Sequence, residues 1–168
     1  MNKYKVKDLT LRIKYLILVL IVSCAYSSKL VAQKSTIYTH EISTYNSASE
    51  LFDKEKYSAA QDKYADVLKT ISDKKSEVAV NAKYYHALCG LRLFNTDAEN
   101  LFIEFINEYP ESPKVKNAYF YLGTYHFRRK KHDEALAWFA KIDAYDLSQE
   151  ELAEYHFKKG YSYFMNEN

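Results

Sequence analysis

Glycine, proline and cysteine are scarce in this chain, whose 168 residues include three glycines, two prolines and two cysteines. A β-sandwich needs turn glycines that adopt positive φ, and a phosphate-binding loop needs glycines where the backbone approaches the ligand. With so few glycines, neither structure is expected. The composition therefore favours an α-helical chain, and its 48% of apolar residues is enough for a core.

An excess of positive charge is also lacking once the N-terminus is set aside. The whole chain has a formal charge of +2, but the first 32 residues hold six basic residues and one acidic residue. The remainder has 18 basic and 21 acidic residues, a net charge of −3. This excludes a global attraction to nucleic acid. The one basic run, Arg128 to His132, is interpreted as a solvated turn, because two acidic residues follow it.

Residues in catalytic patterns are missing too. His40-Glu41 has no second histidine at the spacing of a zinc-protease helix, and the other histidines are scattered. The sequence contains no glycine-rich phosphate loop and no glycine-flanked serine elbow. We therefore predict no enzyme activity, no cofactor and no metal site. His86 and His126 are predicted to be buried structural residues.

The N-terminus has the pattern of an export signal. A basic segment, residues 3–14, precedes the apolar run 16–22, which is too short to span a bilayer. We predict a signal peptide over residues 1–32, with cleavage after Ala32. A second interpretation stays open, because residues 21–24 resemble a bacterial lipobox in which Cys24 would be lipidated. After cleavage at Ala32, Cys89 is the remaining cysteine, so no intrachain disulfide can form, and it is predicted to be a small buried hydrophobe.

An internal repeat of about 37 residues dominates the rest of the chain. Small residues recur with an aromatic residue four positions later, in the pairs Ala60/Tyr64, Ala98/Phe102 and Ala135/Phe139, and Gly123 and Gly160 are 37 residues apart. Small residues allow two helices to pack closely, and the aromatic rings fill the space between neighbouring hairpins. We predict helices at about 36–54, 57–71, 75–93, 96–108, 113–129, 132–142 and 149–165.

Capping residues support these helix boundaries. Ser112 before Pro113 predicts a helix start, and Ser148 with Glu151 predicts a capping box. The segments Ala118 to Gly123 and Ala135 to Phe139 resemble the tetratricopeptide repeat. The resemblance implies an all-α, right-handed α-solenoid of about three and a half helical hairpins within residues 33–168. Its repeats would cover 41–74, 79–112, 116–149 and, in part, 153–168.

The chain differs from the tetratricopeptide repeat at several positions, and one segment has a more specific resemblance. His126, Lys130 and His132 replace residues usual in the repeat, and His86 occupies the small-residue position of the second one. Residues 102–113 with Ala118 and Gly123 resemble repeats of Gram-negative cell-envelope proteins, such as the Tol-Pal coordinating protein and the outer-membrane assembly lipoprotein. This implies an exported adaptor, in the periplasm or at the outer membrane, that binds other envelope proteins or peptides.

The resemblance also implies a binding groove along the first helix of each hairpin, called helix A. Mapped onto this chain, the groove positions are aromatic, which suits an extended or helical peptide with apolar anchors. About half of these rings are expected to pack against adjacent helices. Ser49, Ala87 and Thr124 stand where carboxylate-binding relatives need asparagine. The predicted protein-binding residues are Tyr45, Phe52, Phe120, Phe127, Phe157, Tyr161 and Phe164.

We therefore predict a non-enzymatic scaffold for protein–protein interaction. The alternative is the N-terminal ectodomain of a longer signalling protein such as a sensor kinase, because a partner helix would be expected after residue 168. For the same reason we expect the aromatic last helix to mediate self-association. No nucleic acid partner is expected, and membrane contact is expected only through the signal peptide or a lipid on Cys24.

Overall fold

The computed structural model describes residues 13–18 and 40–167, which fall into two units, 1–40 and 41–168. In the first unit, residues 13–18 are helical. The rest of the predicted signal peptide, with Cys24 and the cleavage site at Ala32, lies outside the described residues. None of the helices described is both long enough and apolar enough to cross a membrane.

The second unit is built from helices, and its described residues include no strand. The first helix, α1, covers 40–53, and a 3-10 turn at Ala144–Asp146 precedes the last. The all-α prediction and the repeated helical arrangement of a solenoid are confirmed. The remaining helices are α2 Tyr57–Thr70, α3 Glu77–Arg92, α4 Ala98–Glu108, α5 Lys114–Arg128, α6 His132–Phe139 and α7 Gln149–Asn166.

Consecutive helices pair as hairpins, α1 with α2, α3 with α4, and α5 with α6, while α7 packs on both α5 and α6. The first helices of successive hairpins also contact each other, since α3 contacts α5 and α5 contacts α7. Helices α1, α3, α5 and α7 are therefore the helix A elements of the stack. This is the predicted arrangement of three hairpins followed by one helix.

Small residues allow the close contacts, as predicted. Ala60, Ala98 and Ala135 are fully buried, and so are the aromatic residues four positions after each of them. At Gly123 a Cβ atom would lie 2.3 Å from the ring of Phe139, so only glycine allows α6 to approach α5 this closely. At Gly160, the corresponding position of α7, a Cβ atom would have no neighbour within 4 Å.

The second hairpin corrects one prediction. The sequence alignment places His86 at the small-residue position of helix A, but His86 is half-buried and the fully buried residue is Ala87. The reason is the connection between the turn and α4: the left-handed residue Phe94 lies four residues before Ala98, whereas Lys130 lies five residues before Ala135. The connection is one residue shorter, which shifts the alignment of helix A by one position, so His86 borders the core and burial lowers its pKa.

The turns inside the three hairpins share a backbone conformation. Each contains a residue in the left-handed region, namely Glu55, Phe94 and Lys130, with φ of 58°, 59° and 58°. Of the three, only Lys130 was noted in the sequence, as a departure from the repeat at a position where glycine is usual. These residues reverse the chain between helices, and each carries the strain of a side chain at positive φ.

The predicted caps are present, with one adjustment. Ser148 and Glu151 form the capping box, with Ser148 Oγ accepting from the Glu151 amide at 3.3 Å and Glu151 Oε2 accepting from the Ser148 amide at 3.1 Å. Ser112 Oγ accepts from the amide of Lys114, where α5 begins, one residue after the predicted start. Helix α6 ends at Phe139 instead of 142, since the chain leaves the helix before the 3-10 turn.

Candidate functional site

The predicted groove residues separate into two groups in the structure. Tyr45 and Phe52 belong to the first, near the contact between the first two hairpins. The ring of Tyr45 lies 5.9 Å from that of Tyr64, and the ring of Phe52 lies 5.1 Å from that of Tyr85. Both side chains are half-buried. They pack against adjacent helices, as was expected of about half of the set.

The second group lies where α7 packs on α5. Phe120 is 2% exposed and belongs to the core, while Phe127 is half-buried and its ring lies 5.7 Å from that of Tyr161. Phe157, Tyr161 and Phe164 are 65%, 43% and 61% exposed. Their spacing of four and three residues places them on one face of α7. We call these three residues the aromatic stripe.

Lys158 holds α7 against α5, and the sequence analysis missed it. It is 7% exposed, its Nζ donates to Thr124 Oγ1 at 3.2 Å, and it forms an ion pair with Glu154. The Nζ also lies 5.9 Å and 5.8 Å from the ring centroids of Phe120 and Phe127. Burial lowers the pKa of Lys158. The sequence signal was the Glu154-Lys158 spacing of four residues, which alone predicts a surface ion pair.

A cavity of about 320 Å³ lies between α3, α5 and α7. Arg92 from α3 and Arg128 from α5 contribute basic groups, and the beginning of α7 contributes Glu150, Glu151 and Glu154. Tyr121 and Thr124 line the α5 side. We call it the charged cavity. None of these charged residues was singled out as a groove residue from the sequence, because residues from three distant segments meet there.

A second cavity, of about 660 Å³, lies at the other end of α3 and α5. Its apolar walls come from Val80 and from the segment between α4 and α5, which supplies Tyr109, Pro110 and Pro113. Lys114 lines it as well, with its Nζ 4.9 Å from the ring centroid of Tyr84. We call it the apolar cavity.

The two cavities lie on one face of the helix A elements. Asn81, Tyr85 and Arg92 follow the spacing of one helical face in α3. Asn81 lines the apolar cavity, Arg92 lines the charged cavity, and none of the three is buried. In α7 the same spacing joins Glu150 and Glu154 to the aromatic stripe. The surface therefore continues from the apolar cavity through the charged cavity to the stripe. We call it the helix A groove.

The histidines take part in contacts between helices. His126 is buried, as predicted, and its Nε2 lies 3.1 Å from Glu99 Oε1. His132 Nδ1 lies 3.3 Å from Ser162 Oγ of α7. Across residues 13–18 and 40–167, no three His, Cys, Asp or Glu side chains are grouped so that they could hold a metal ion. The basic run from Arg128 forms an exposed turn, as interpreted from the sequence, although Arg128 also reaches the charged cavity.

One stretch of the chain matches a known protein family. Residues 94–149, which contain α4, α5 and α6, match the tetratricopeptide repeat family. No curated protein and no solved structure gives a significant match. Tetratricopeptide repeats are generally modules for protein–protein interaction and typically non-enzymatic scaffolds. The chain is similar to this family over that stretch, and its repeated helical hairpins are consistent with the fold of a tetratricopeptide-type helical solenoid.

Proposed function

We propose that this protein is a non-enzymatic adaptor that binds a segment of a partner protein along the helix A groove. The observation that supports it best is the exposure of the aromatic stripe on α7, the helix whose beginning also lines the charged cavity. Exposed rings lined up on one side of a helix provide apolar anchoring surface, and the cavities receive side chains. Extended or helical segments are the ligands that fit such a surface.

The stripe provides a direct test of this proposal. A peptide library displayed on phage is selected on the immobilised wild-type chain, on Phe157→Ser/Tyr161→Ser, and on the control Tyr145→Ser. Tyr145 is 96% exposed on the 3-10 turn, so the control variant loses a ring of similar size that lies outside the groove. The wild type and the control are expected to enrich the same peptides, and the double variant at least tenfold fewer.

Equal melting curves by circular dichroism would show that all three chains fold. If the wild type enriches no peptide, the proposed function is wrong. If the double variant enriches peptides as well as the control does, the aromatic stripe is not part of the binding surface.

We also propose that the adaptor works in the envelope of a Gram-negative bacterium and is exported through residues 1–32. The support is the basic and apolar pattern of the N-terminus and the resemblance of residues 102–113 to envelope repeats. Cell fractionation with intact-mass measurement tests this. The expected product lies outside the cytoplasm and begins at Gln33, whereas a diacylglycerol adduct on Cys24 would select the lipoprotein. A full-length chain in the cytoplasm would contradict export.

A further inference from the structure

We infer that the helix A groove selects a particular pattern in its partner. The bound segment is extended, places one acidic side chain between Arg92 and Arg128, and carries an apolar side chain about five residues away. This inference rests on the proposed function, because it specifies the ligand of the same groove. Three features support it: the state of the two arginines, the charges opposite them, and the distance between the cavities.

The two arginines are held in place but not neutralised. The Arg92 guanidinium lies 5.9 Å from the ring centroid of Tyr121, and that of Arg128 lies 5.7 Å from the ring centroid of Phe94. Neither forms an ion pair with a carboxylate of the residues described. A guanidinium that stacks on a ring keeps its N–H groups available at its edge, where they bind a carboxylate with two parallel hydrogen bonds.

The opposite wall of the charged cavity limits the ligand to a small acidic group. Glu154 is paired with Lys158, and Glu151 accepts hydrogen bonds from Ser148 and Asn117. Glu150 is exposed at the same wall. A polyanion such as RNA would meet these three carboxylates along its backbone, and the repulsion would oppose binding. A single Asp or Glu side chain of a peptide carries one charge, so it experiences much less of this repulsion while it reaches the two arginines.

The distance between the cavities sets the spacing in the ligand. Val80 lines the apolar cavity and Arg92 lines the charged cavity, and both belong to α3. Twelve residues of α-helix rise about 18 Å at 1.5 Å per residue. An extended peptide advances about 3.3 Å per residue, so the same distance is covered by about five residues. A helical ligand would need about twelve, which distinguishes the two conformations.

A charge-reversal selection tests the inference. The displayed peptide library is selected on the wild type, on Arg92→Glu/Arg128→Glu, and on the control Arg129→Glu/Lys130→Glu. The control changes the net charge equally, at exposed residues of the basic turn that do not line the charged cavity. The wild type and the control are expected to enrich Asp or Glu about five residues from a Leu, Ile or Phe. The Arg92/Arg128 variant is expected to enrich Lys or Arg at that position.

A quantitative measurement completes the test and covers the case of an unfolded variant. The best wild-type peptide, fluorescein-labelled, and its Glu→Gln and Glu→Lys versions are titrated by fluorescence anisotropy. The wild type is expected to lose at least tenfold in affinity for the Gln version. The Arg92/Arg128 variant is expected to bind the Lys version best, which requires a folded groove.

The outcomes separate this inference from the proposed function. Selected peptides without an acidic preference, or with the same acidic preference on the Arg92/Arg128 variant, would overturn the inference and leave peptide binding intact. A spacing of about twelve residues would overturn the extended conformation. Tighter binding of a labelled 20-nucleotide RNA than of any peptide, lost in the Arg92/Arg128 variant, would overturn the assignment to a peptide. If the wild type enriches no peptide at all, the proposed function itself fails.

Discussion

Gly123 and Gly160 occupy corresponding positions in α5 and α7, but their surroundings differ. A Cβ atom at position 123 would lie 2.3 Å from the Phe139 ring, whereas one at position 160 would contact nothing. We expect Gly123→Ala to lower the free energy of unfolding by about 1–3 kcal/mol, because α6 must move away from α5. Gly160→Ala should leave it unchanged or raise it by up to about 1 kcal/mol, as alanine favours a helix. Urea unfolding measures both.

The pair is a matched control, since both substitutions replace a helical glycine by alanine. If the two variants unfold at the same urea concentration, then the contact between Gly123 and Phe139 does not limit the packing of the third hairpin. That result would also contradict the repeat alignment on which the hairpins are defined.

Burial of Cys89 makes the stability of the folded state depend on pH in the alkaline range. It is fully buried, as predicted, and burial raises the pKa of its thiol to about 12. Since the unfolded thiol ionises at a lower pH, the neutral thiol stabilises the folded state fully below about pH 8.5, and this contribution is lost as pH rises toward 12. Burial raises the pKa of Tyr64 and Tyr84 in the same direction.

The measurement is the free energy of unfolding between pH 8 and pH 11 for the wild type and Cys89→Ala. The variant should be less stable at pH 8, because it leaves a small cavity, but its stability should fall less steeply as the pH rises. Parallel curves would contradict a buried neutral thiol. The tyrosines account for the fall that remains in the variant.

At the residue scale, the sequence predicts the roles of residues that recur with the repeat, and it misses the roles of residues that occur once. Ala98, Ala135 and Gly123 recur with the period, so their packing roles are visible in the sequence. Lys158 has no counterpart at the same position of α5, where Tyr121 stands 37 residues earlier. Its burial depends on Thr124 and on two phenylalanine rings that only the fold brings together.

At the scale of the helical hairpin, the turn between α5 and α6 stores strain. Lys130 has φ of 58°, where a side chain costs about 1–2 kcal/mol relative to an ordinary helical residue. Glycine tolerates this conformation, so Lys130→Gly should raise the free energy of unfolding by about 0.5–1 kcal/mol. Lys131, at φ of −93°, gains no relief, and Lys131→Gly should be neutral or destabilising.

Thermal melting of the two variants checks this expectation, and both remove one lysine from the same exposed turn. A higher melting temperature for Lys131→Gly than for Lys130→Gly would mean that the left-handed residue is not the source of the strain. The corresponding positions Glu55 and Phe94 offer the same test in the other two hairpins.

Helix boundaries are predictable here because local chemistry fixes them. Ser112 and Ser148 provide side-chain acceptors for unpaired amides, and both mark helix starts within one residue. The end of α6 was missed because no capping residue marks it, and the 3-10 turn that follows depends on contacts further along the chain. In the second hairpin, the connection from the left-handed residue to α4 is one residue shorter than in the third, and this shifted the alignment of His86.

At the scale of the whole molecule, the helix A groove is a product of stacking. Its charged cavity joins residues 91–92, 120–128 and 148–154, which are brought together only when three successive helix A elements lie side by side. A single sequence shows the repeat, but it does not show which polar side chains from neighbouring repeats come into contact. The predicted aromatic positions therefore identify part of the groove, in the stripe on α7, while the arginines become visible only in the fold.

Helix α7 differs from α1, α3 and α5 because no following helix covers it among the residues described. A Cβ atom at Gly160 would have no neighbour within 4 Å on the side where Gly123 contacts Phe139, and Tyr163, one turn further along the same side, is exposed. Since exposed apolar faces at the end of a stack favour association, we propose that two copies pair through this side of α7.

The weight-average mass from light scattering should rise with concentration for the wild type. Gly160→Arg should stay monomeric with an unchanged or slightly higher melting temperature, because a Cβ atom at this position has no neighbour within 4 Å, while the long charged side chain blocks close approach of a second helix. A wild type that remains monomeric at every concentration, or a Gly160→Arg variant that associates equally, would contradict pairing at this face.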